Sequence, residues 1–219
     1  MKKIFTIIGT RPEAIKMAIL CRELNRHPGF EHKLVSTGQH REMLDQVLGF
    51  FELKPDYDLS IMQPGQDLTD VTCKVLYGLR ELFCRDRPDI VLVQGDTTTS
   101  MAGALVAFYA GIPVGHVEAG LRTYNLRSPF PEEANRTIIS RIATFHFAPT
   151  QKNRDNLIAE GITRNIFVTG NTVIDALLFT EKKINCFSDK VKDEDLKKLF
   201  ETHERIILVT GHRRENFGE

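Results

Sequence analysis

Short runs of β-branched residues alternate with amphipathic segments of helical length along the chain, and this alternation constrains the fold more than any other feature. The pattern is typical of a parallel sheet, because crossover helices cover both of its faces and leave every strand apolar throughout. The sequence therefore predicts an α/β fold in which helices pack on both faces of one parallel sheet.

The elements of this fold can be assigned from the same periodicity. The predicted strands are Ile4–Ile8, Lys33–Ser36, Ile90–Val93, a run within Ile112–Val117, Phe145–Ala148, Ile166–Thr169 and Ile206–Val209. Two predicted helices end near Arg26 and Phe51. The other predicted helices span Asp67–Arg87, Ser100–Ala110, Glu132–Thr144, Gln151–Glu160, Asn171–Lys183 and Ser188–Glu204. The segment Pro55–Gly65, with its Pro-Gly pair, is predicted as a loop.

The last predicted strand, Ile206–Val209, is followed by the polar segment Gly211–Glu215 and by no helix. One face of that strand is then uncovered, which is typical of an unfinished α/β unit. The sequence therefore predicts a first domain over residues 1–170, and linker helices with the first strand of a second domain over residues 171–219.

Charge and composition argue against several classes of protein. Lysine plus arginine and aspartate plus glutamate number 29 each, so no overall basic field favours nucleic acid as a partner. The apolar run Ile4–Ile8 is shorter than a signal peptide or membrane span requires, which predicts a cytoplasmic protein without a membrane segment. Four cysteines without a C-x-x-C pair predict reduced, packed thiols and no metal site.

Small and polar residues follow several predicted strands, in the phrases I-I-G-T-R, V-L-V-Q-G-D, V-T-G-N and V-T-G-H. The carboxyl ends of parallel strands form the ligand crevice of an open sheet. We therefore expect Arg11, Asp96, Glu118 and His212 to converge, although they lie far apart in the sequence.

The first of these strand ends could bind phosphate. Neither G-x-G-x-x-G nor G-x-x-x-x-G-K-[ST] occurs in the chain, which disfavours dinucleotide oxidoreductases and P-loop proteins. Gly9 instead precedes a predicted helix start with Arg11 and Lys16 at or just inside it, an arrangement suited to a diphosphate. The alternative is that these are ordinary cap and surface charges.

Acidic residues and prolines are concentrated in the segment His116–Arg136, which is predicted to leave a strand as a loop and enter a helix. Asp96 has an alternative role as a helix N-cap, and Glu118 could be a satisfied polar residue at the sheet rim. Glu132 would favour the helix dipole in any case, and His212 could belong to a solvated basic turn. Together, three carboxylates, a histidine and cations suit proton transfer at a carbon beside an anionic leaving group.

Seven ordered motifs carry a closer resemblance. They are G-T-R-P-E-A-I-K-M, Q-H-R-E-M-L-D-Q-V-L, Q-G-D-T-T-T, H-V-E-A-G-L-R-T, P-E-E-A-N-R, T-G-N-T-V-I-D-A-L and G-H-R-R-E-N. With them the chain resembles the non-hydrolysing UDP-N-acetylglucosamine 2-epimerases. The resemblance extends over the whole chain but covers only the first domain and the opening of the second domain of that family.

The resemblance implies a glycosyltransferase-B-type fold, of which this chain would be the first half, with Rossmann-like domains closing over a UDP-sugar. It implies interconversion of UDP-GlcNAc and UDP-ManNAc without metal or NAD, by elimination of UDP to a 2-acetamidoglucal and re-addition. Such isomerases supply amino-sugar polymers of bacterial envelopes and form homodimers. Because the family's second domain carries most contacts to uracil and ribose, this chain alone is expected to be inactive.

The resemblance also implies roles for individual residues. The catalytic residues would be Asp96, Glu118, Glu132 and His212. The residues in contact with substrate would be Arg11, Lys16, Asp96, Glu118, His212 and Arg213. A second, regulatory UDP-GlcNAc would lie beside Gln39, His40, Arg41 and Glu132.

Other readings use the same architecture. A hydrolysing 2-epimerase would release free ManNAc and UDP, and a retaining glycosyltransferase would also take a UDP-sugar. A protein of a different class would bind the UDP-sugar without catalysis.

Overall fold

A parallel sheet organises the first of two compact units, which covers Met1–Leu177, and the second unit covers Leu178–Glu219. The structure, a computed structural model, describes residues 1–38, 41–63, 65–184, 193–203, 205–207 and 209. None of the helices in these ranges has the length and apolar character needed to cross a membrane.

The strands and helices alternate as the sequence predicts. The strands are β1 (Lys2–Ile8), β2 (Phe30–Ser36), β3 (Tyr57–Asp58), β4 (Ile90–Gln94), β5 (Val114–Val117), β6 (Phe145–Ala148) and β7 (Ile166–Val168). The helices are α1 (Arg11–Arg26), α2 (Arg41–Phe50), α3 (Leu68–Arg85), α4 (Thr98–Tyr109), α5 (Glu132–Ile142), α6 (Gln151–Ala159), α7 (Thr172–Ile184) and α8 (Glu194–Thr202). All neighbouring strands are parallel, in the order β3-β2-β1-β4-β5-β6-β7.

Strand β1 shows why the sheet is covered on both faces. Phe5 and Ile7 belong to a buried cluster with residues of α3 and α4, whereas Ile4 and Ile8 belong to a second cluster with residues of α1 and α2. Successive side chains of a strand point to opposite faces, so the apolar run of β1 serves two cores. The predicted α/β fold is confirmed. The spacing of Val71, Val75, Leu79 and Leu82 predicts one buried stripe on α3, and all four are buried.

The structure departs from the predicted elements in places where the sequence signal is short. The predicted loop Pro55–Gly65 contains strand β3, whose two residues pair with Val35 and Ser36 of β2. At residues 205–207 and 209 the predicted last strand is not formed, and Leu208 lies outside the described residues.

Some residues predicted to be packed are exposed. The sequence pattern of α5 predicts that Ile138, Ile139 and Ile142 face inward. Ile138 is 43% exposed, because the buried face of that helix runs through polar residues and Ile139 instead. Cys73 and Cys84 are exposed on α3, whereas Cys21 is a buried thiol. Cys186 lies outside the residues that the structure describes.

Gly9, at the end of β1, is predicted to be intolerant of substitution. A Cβ atom there would clash with Thr99 Oγ1 and lie 2.5 Å from Thr37 Oγ1, in a site with no spare volume. We expect Gly9→Ala to lower the free energy of unfolding by about 1–3 kcal/mol, measured by urea denaturation. The control is Gly49→Ala on α2, where an added Cβ meets nothing within 4 Å and the free energy of unfolding should rise by about 0.5–1 kcal/mol. Equal effects of the two substitutions would contradict this prediction.

Candidate active site

A cleft of about 450 Å³ lies at the carboxyl ends of β1, β4 and β5. Strand β1 pairs with β2 on one side and with β4 on the other. The strands after β1 therefore extend the sheet first on one side of β1 and then on the other, so the strand order reverses here. Ligands of open parallel sheets bind at such a switch point. The lining includes four residues singled out from the sequence, which are Lys16, Asp96, Glu118 and Glu132. It also includes Glu13 and Gln94, which were not singled out.

Glu118 directly follows β5 and is held by donors from several elements. Its φ is 66°, in the left-handed region, so the chain leaves the strand direction at this residue. Lys16 Nζ lies 2.5 Å from Glu118 Oε2, which also accepts a hydrogen bond from Gln94 Nε2. Asn171 Nδ2 donates to Glu118 Oε1 over 3.3 Å. Glu118 is therefore a partnered carboxylate whose orientation is fixed in the cleft.

Asp96 lies after Gly95 in the turn that follows β4. Its Oδ2 is 2.7 Å from Arg136 Nη2, and its backbone carbonyl accepts a hydrogen bond from Asn135 Nδ2 over 2.8 Å. Burial raises the pKa of Asp96 to about 6, opposed by Arg136 and reinforced by nearby Glu118. A carboxyl group with a pKa in this range can both accept and donate a proton near neutral pH.

The alternative role of Asp96 as a helix N-cap is wrong. Helix α4 is capped by Thr97, whose side chain accepts a hydrogen bond from the Ser100 amide over 3.0 Å. Asp96 precedes the cap and directs its carboxylate to Arg136 instead. Its side chain is thus available to the cleft.

Glu132 is the first residue of α5, as the sequence predicted, and it lines the same cleft. Its Oε2 atom is buried and has no hydrogen-bond partner within the described part of the chain. Leaving a buried polar atom unpaired costs about 1–3 kcal/mol, so such an atom is commonly found where a ligand completes the site. Among the carboxylates of the cleft, Glu132 is the one with a buried oxygen that no group in the described part of the chain satisfies.

His116, two residues before Glu118, contacts the turn that follows β4. His116 is fully buried in β5, and its Nε2 lies 2.7 Å from the carbonyl oxygen of Gly95, to which it donates. Burial lowers the pKa of His116 to about 3, so the ring is neutral and Nε2 carries its proton. His116 therefore positions the turn that contains Asp96.

Among the remaining predicted site residues, Arg11 is the one whose side chain the structure describes. Arg11 begins α1 with an exposed side chain and is not among the residues that line the cleft. His212, Arg213, Gln39 and His40 lie outside the described residues, and Arg41 begins α2 but its side chain is not described. In the described ranges, no group of three or more His, Cys, Asp or Glu residues could hold a metal ion.

Four residues of the site were missed as functional candidates. Glu13 was recognisable, because Thr10 and Glu13 have the T-x-x-E spacing of a capping box, which the structure contains. Gln94, Arg136 and Asn171 all lie within the motifs quoted above, but their partners Glu118 and Asp96 are 24 to 53 residues away in the sequence. No local signal indicates such contacts.

Comparison with known proteins identifies the family of the chain. The chain matches the family described as UDP-N-acetylglucosamine 2-epimerase over residues 22–219. The UDP-N-acetylglucosamine 2-epimerase of Salmonella typhimurium is 56% identical over 99% of this chain and 58% of its own length. The chain thus spans less than two thirds of this relative.

Comparison with solved structures indicates the same family. The UDP-GlcNAc 2-epimerase of Neisseria meningitidis bound to UDP-GlcNAc is 50% identical with a TM-score of 0.91, over 99% of this chain and 58% of that one. The Methanocaldococcus jannaschii UDP-GlcNAc 2-epimerase in complex with UDP-GlcNAc and UDP is 36% identical, with a TM-score of 0.80. The match covers 91% of this chain and 53% of that one. These neighbours have the glycosyltransferase-B-type fold, and the Rossmann-like sheet described above corresponds to its first half. The chain belongs to the UDP-N-acetylglucosamine 2-epimerase family.

Proposed function

We propose that this chain supplies the acid/base residues of an epimerase that interconverts UDP-GlcNAc and UDP-ManNAc without net hydrolysis. The observation that carries the proposal is the presence of Asp96, Glu118 and Glu132 in one cleft beside Lys16. It is supported by relatives whose structures are bound to UDP-GlcNAc and UDP.

The chemistry requires groups that exchange protons at C2 of the sugar. A base removes the C2 proton, the electron pair forms a C1–C2 double bond, and the C1–oxygen bond to UDP breaks. The products are a 2-acetamidoglucal and UDP. Re-addition of UDP at C1, with a proton delivered to the other face of C2, gives the epimer with no oxidant or reductant consumed. Inversion therefore needs at least two acid/base groups.

The three carboxylates differ in ways that assign them roles. Glu132 has an unpartnered buried oxygen and can accept a proton from substrate. Asp96 has a pKa of about 6 and can hold a proton to deliver. Glu118 is committed to Lys16 and two amides, so it orients the cleft and the sugar instead of exchanging protons. Lys16 would hold the expelled diphosphate while the glycal waits.

The family resemblance extends this proposal beyond the cleft. Arg11, His212 and Arg213 would add contacts to the diphosphate, with His212 also in the catalytic set. Gln39, His40 and Arg41, with Glu132, would bind the regulatory UDP-GlcNAc. We also propose a homodimer in the cytoplasm, and a molar mass of twice 24.9 kDa by light scattering would support the dimer.

Heavy water provides the test of the reaction. The chain, joined after residue 219 to the remaining part of the Salmonella relative, would be incubated with UDP-GlcNAc in deuterium oxide. We expect deuterium at C2 of both recovered UDP-sugars, because elimination and re-addition exchange this hydrogen with solvent. Free ManNAc with UDP would instead identify a hydrolysing enzyme, and recovered UDP-sugars without deuterium would overturn the elimination route.

The same assay on the 219-residue chain alone separates catalysis from binding. We expect no turnover and only weak calorimetric binding of UDP by the chain alone, because it spans 58% of its relative's length and the family's second domain carries most contacts to uracil and ribose. Full turnover by the chain alone would refute that expectation. Failure of the joined protein to turn over, with UDP still bound, would favour a non-catalytic binding protein.

A further inference from the structure

Glu13 of α1 is a completely buried carboxylate that lies beneath the cleft, at 0% exposure. Its Oε2 accepts hydrogen bonds from the Gly9 amide over 3.0 Å, from the Thr10 amide over 2.7 Å and from the Thr10 hydroxyl over 2.8 Å. Its Oε1 lies 2.7 Å from the hydroxyls of both Thr97 and Ser100. A charge removed from water is tolerated only when donors satisfy it in this way.

These contacts exclude Glu13 from proton exchange with a substrate. Both of its oxygen atoms already face donors, whereas Glu132 has a buried oxygen without a hydrogen-bond partner in the described part of the chain. Although Glu13 belongs to the lining of the cleft, its carboxylate has no oxygen free for a sugar. Its role must be exerted through the residues that it contacts.

The donors to Glu13 come from two separate turns. Gly9 and Thr10 form the turn between β1 and α1, and Thr97 caps α4 directly after Asp96. Lys16 lies one turn further along α1 than Glu13. Glu13 is therefore the group that ties the helix containing Lys16 to the turn containing Asp96.

Asp96 is fixed on its other side by α5. Its carboxylate contacts Arg136 over 2.7 Å, and its backbone carbonyl contacts Asn135. Without Glu13, the hydroxyls of Thr97 and Ser100 would lose their shared acceptor, and the turn could move away from α1 while Asp96 stays tied to Arg136. Displacement of a catalytic group by about 1 Å can cost 100-fold in rate.

We propose that Glu13 is a positioning residue, which fixes the turn after β4 against the start of α1 and thereby sets the places of Asp96 and Lys16 in the cleft. The significance of those places for epimerisation rests on the proposed function. The positioning itself does not, because it follows from the contacts of Glu13 alone.

The test is a direct titration of Asp96 in the 219-residue chain, followed by carbon-13 NMR of its side-chain carboxyl. In the wild type we expect a pKa of about 6, since burial is the main cause of the raised value. In Glu13→Ala the loosened turn admits water to Asp96, so its pKa should fall by about one pH unit or more toward its ordinary value. The charges that face Asp96 are unchanged in this variant: Arg136, Glu118, Glu132 and Lys16.

Two further variants make the result decisive. Glu13→Gln keeps one oxygen for the backbone donors, so we expect a smaller fall in the pKa of Asp96 and faster hydrogen exchange at the Ser100 amide. Glu23→Gln removes an exposed charge from the same helix and should change neither quantity. If Glu13→Ala does not fold, Glu13→Gln decides the question.

An unchanged titration of Asp96 in a folded Glu13→Ala protein would overturn the proposal. So would a Glu13→Gln protein that matches the Glu23→Gln control in both measurements. Because the titration needs no turnover, a shifted pKa of Asp96 in Glu13→Ala would support the role of Glu13 even if the joined wild-type protein were inactive. That inactivity would count against the proposed epimerase function alone.

Discussion

Asp96→Asn is expected to lower kcat for epimerisation by about 10²–10⁴-fold in the protein joined to its relative's remaining part, while the fold stays intact. Asparagine is nearly isosteric with aspartate but cannot exchange a proton with C2 of the sugar. Since Thr97 provides the cap of α4, the substitution removes no cap. Rates would be measured by following UDP-ManNAc formation, and folding by circular dichroism.

The matched control is Asp155→Asn on α6, whose side chain is 61% exposed. This substitution removes the same charge from a residue that does not line the cleft, and kcat should be unchanged. A loss of less than tenfold in Asp96→Asn would show that Asp96 is not an acid/base group. Equal losses in both variants would point to an effect of net charge alone.

The raised pKa of Asp96 predicts a second effect of the same substitution, on stability. Burial raises this pKa from 3.8 to about 6, so the folded state binds the proton more tightly than the unfolded state does. The free energy of unfolding of the wild type should therefore fall as pH rises between these values, by up to about 3 kcal/mol from this group. Asp96→Asn lacks the titrating group and should lack this part of the slope.

Urea denaturation between about pH 4 and pH 7 measures the difference. We expect the stability of Asp96→Asn relative to the wild type to increase with pH across this range, because only the wild type must bury an ionised carboxylate. Parallel stability curves would contradict the pKa assigned to Asp96. A difference that changes in the opposite direction would mean that Arg136 outweighs burial.

The fold could be predicted from the sequence because its signal is local. The apolar run of β1 and the stripe from Val71 to Leu82 are visible in consecutive residues, and each specifies a strand or a helix with its buried face. Strand β3 was not predicted because two residues carry no periodicity, and its pairing with β2 comes from the tertiary structure.

The adjacency of two residues of the candidate site could be predicted for a different reason. The carboxyl ends of parallel strands meet at one edge, so Asp96 and Glu118 had to be neighbours once the sheet was correct. The alternative that Asp96 caps α4 arose because aspartate and threonine are both common N-caps and stand side by side in Q-G-D-T-T-T. The hydrogen bond from the Ser100 amide to Thr97, and the contact of Asp96 with Arg136 forty residues later, separate the two.

Arg122 shows how the loop from Glu118 to Glu132 is attached to the rest of the sheet. Its guanidinium, 1% exposed, pairs with Glu160 through Nε over 2.6 Å and Nη2 over 2.9 Å. Its remaining donors reach the Leu121 carbonyl and the Ser140 hydroxyl. One side chain thus joins the loop to α5 and to the end of α6.

Arg122→Ala is expected to lower the free energy of unfolding by about 3–5 kcal/mol, because it leaves Glu160 partly buried without its counter-ion. Arg122→Lys should also be destabilising, since an ammonium group cannot reproduce the two-point contact with Glu160. Arg127→Ala, an exposed arginine in the same loop, is the control and should change the free energy of unfolding by less than about 0.5 kcal/mol. Urea denaturation of the three variants measures these differences.

A small effect of Arg122→Ala would mean that the loop is held by other contacts, of which Glu133 provides the strongest candidates through the amides of Thr123 and Tyr124. If the large effect is found, the anchoring of this loop and the placement of Glu118 have a common cause. Glu118 is at the start of the segment that Arg122 fastens, so a loosened loop would move Glu118 relative to Glu132 and to Asp96, which α5 holds through Arg136. Loss of stability and loss of activity should then occur in the same variant and be absent together in Arg127→Ala.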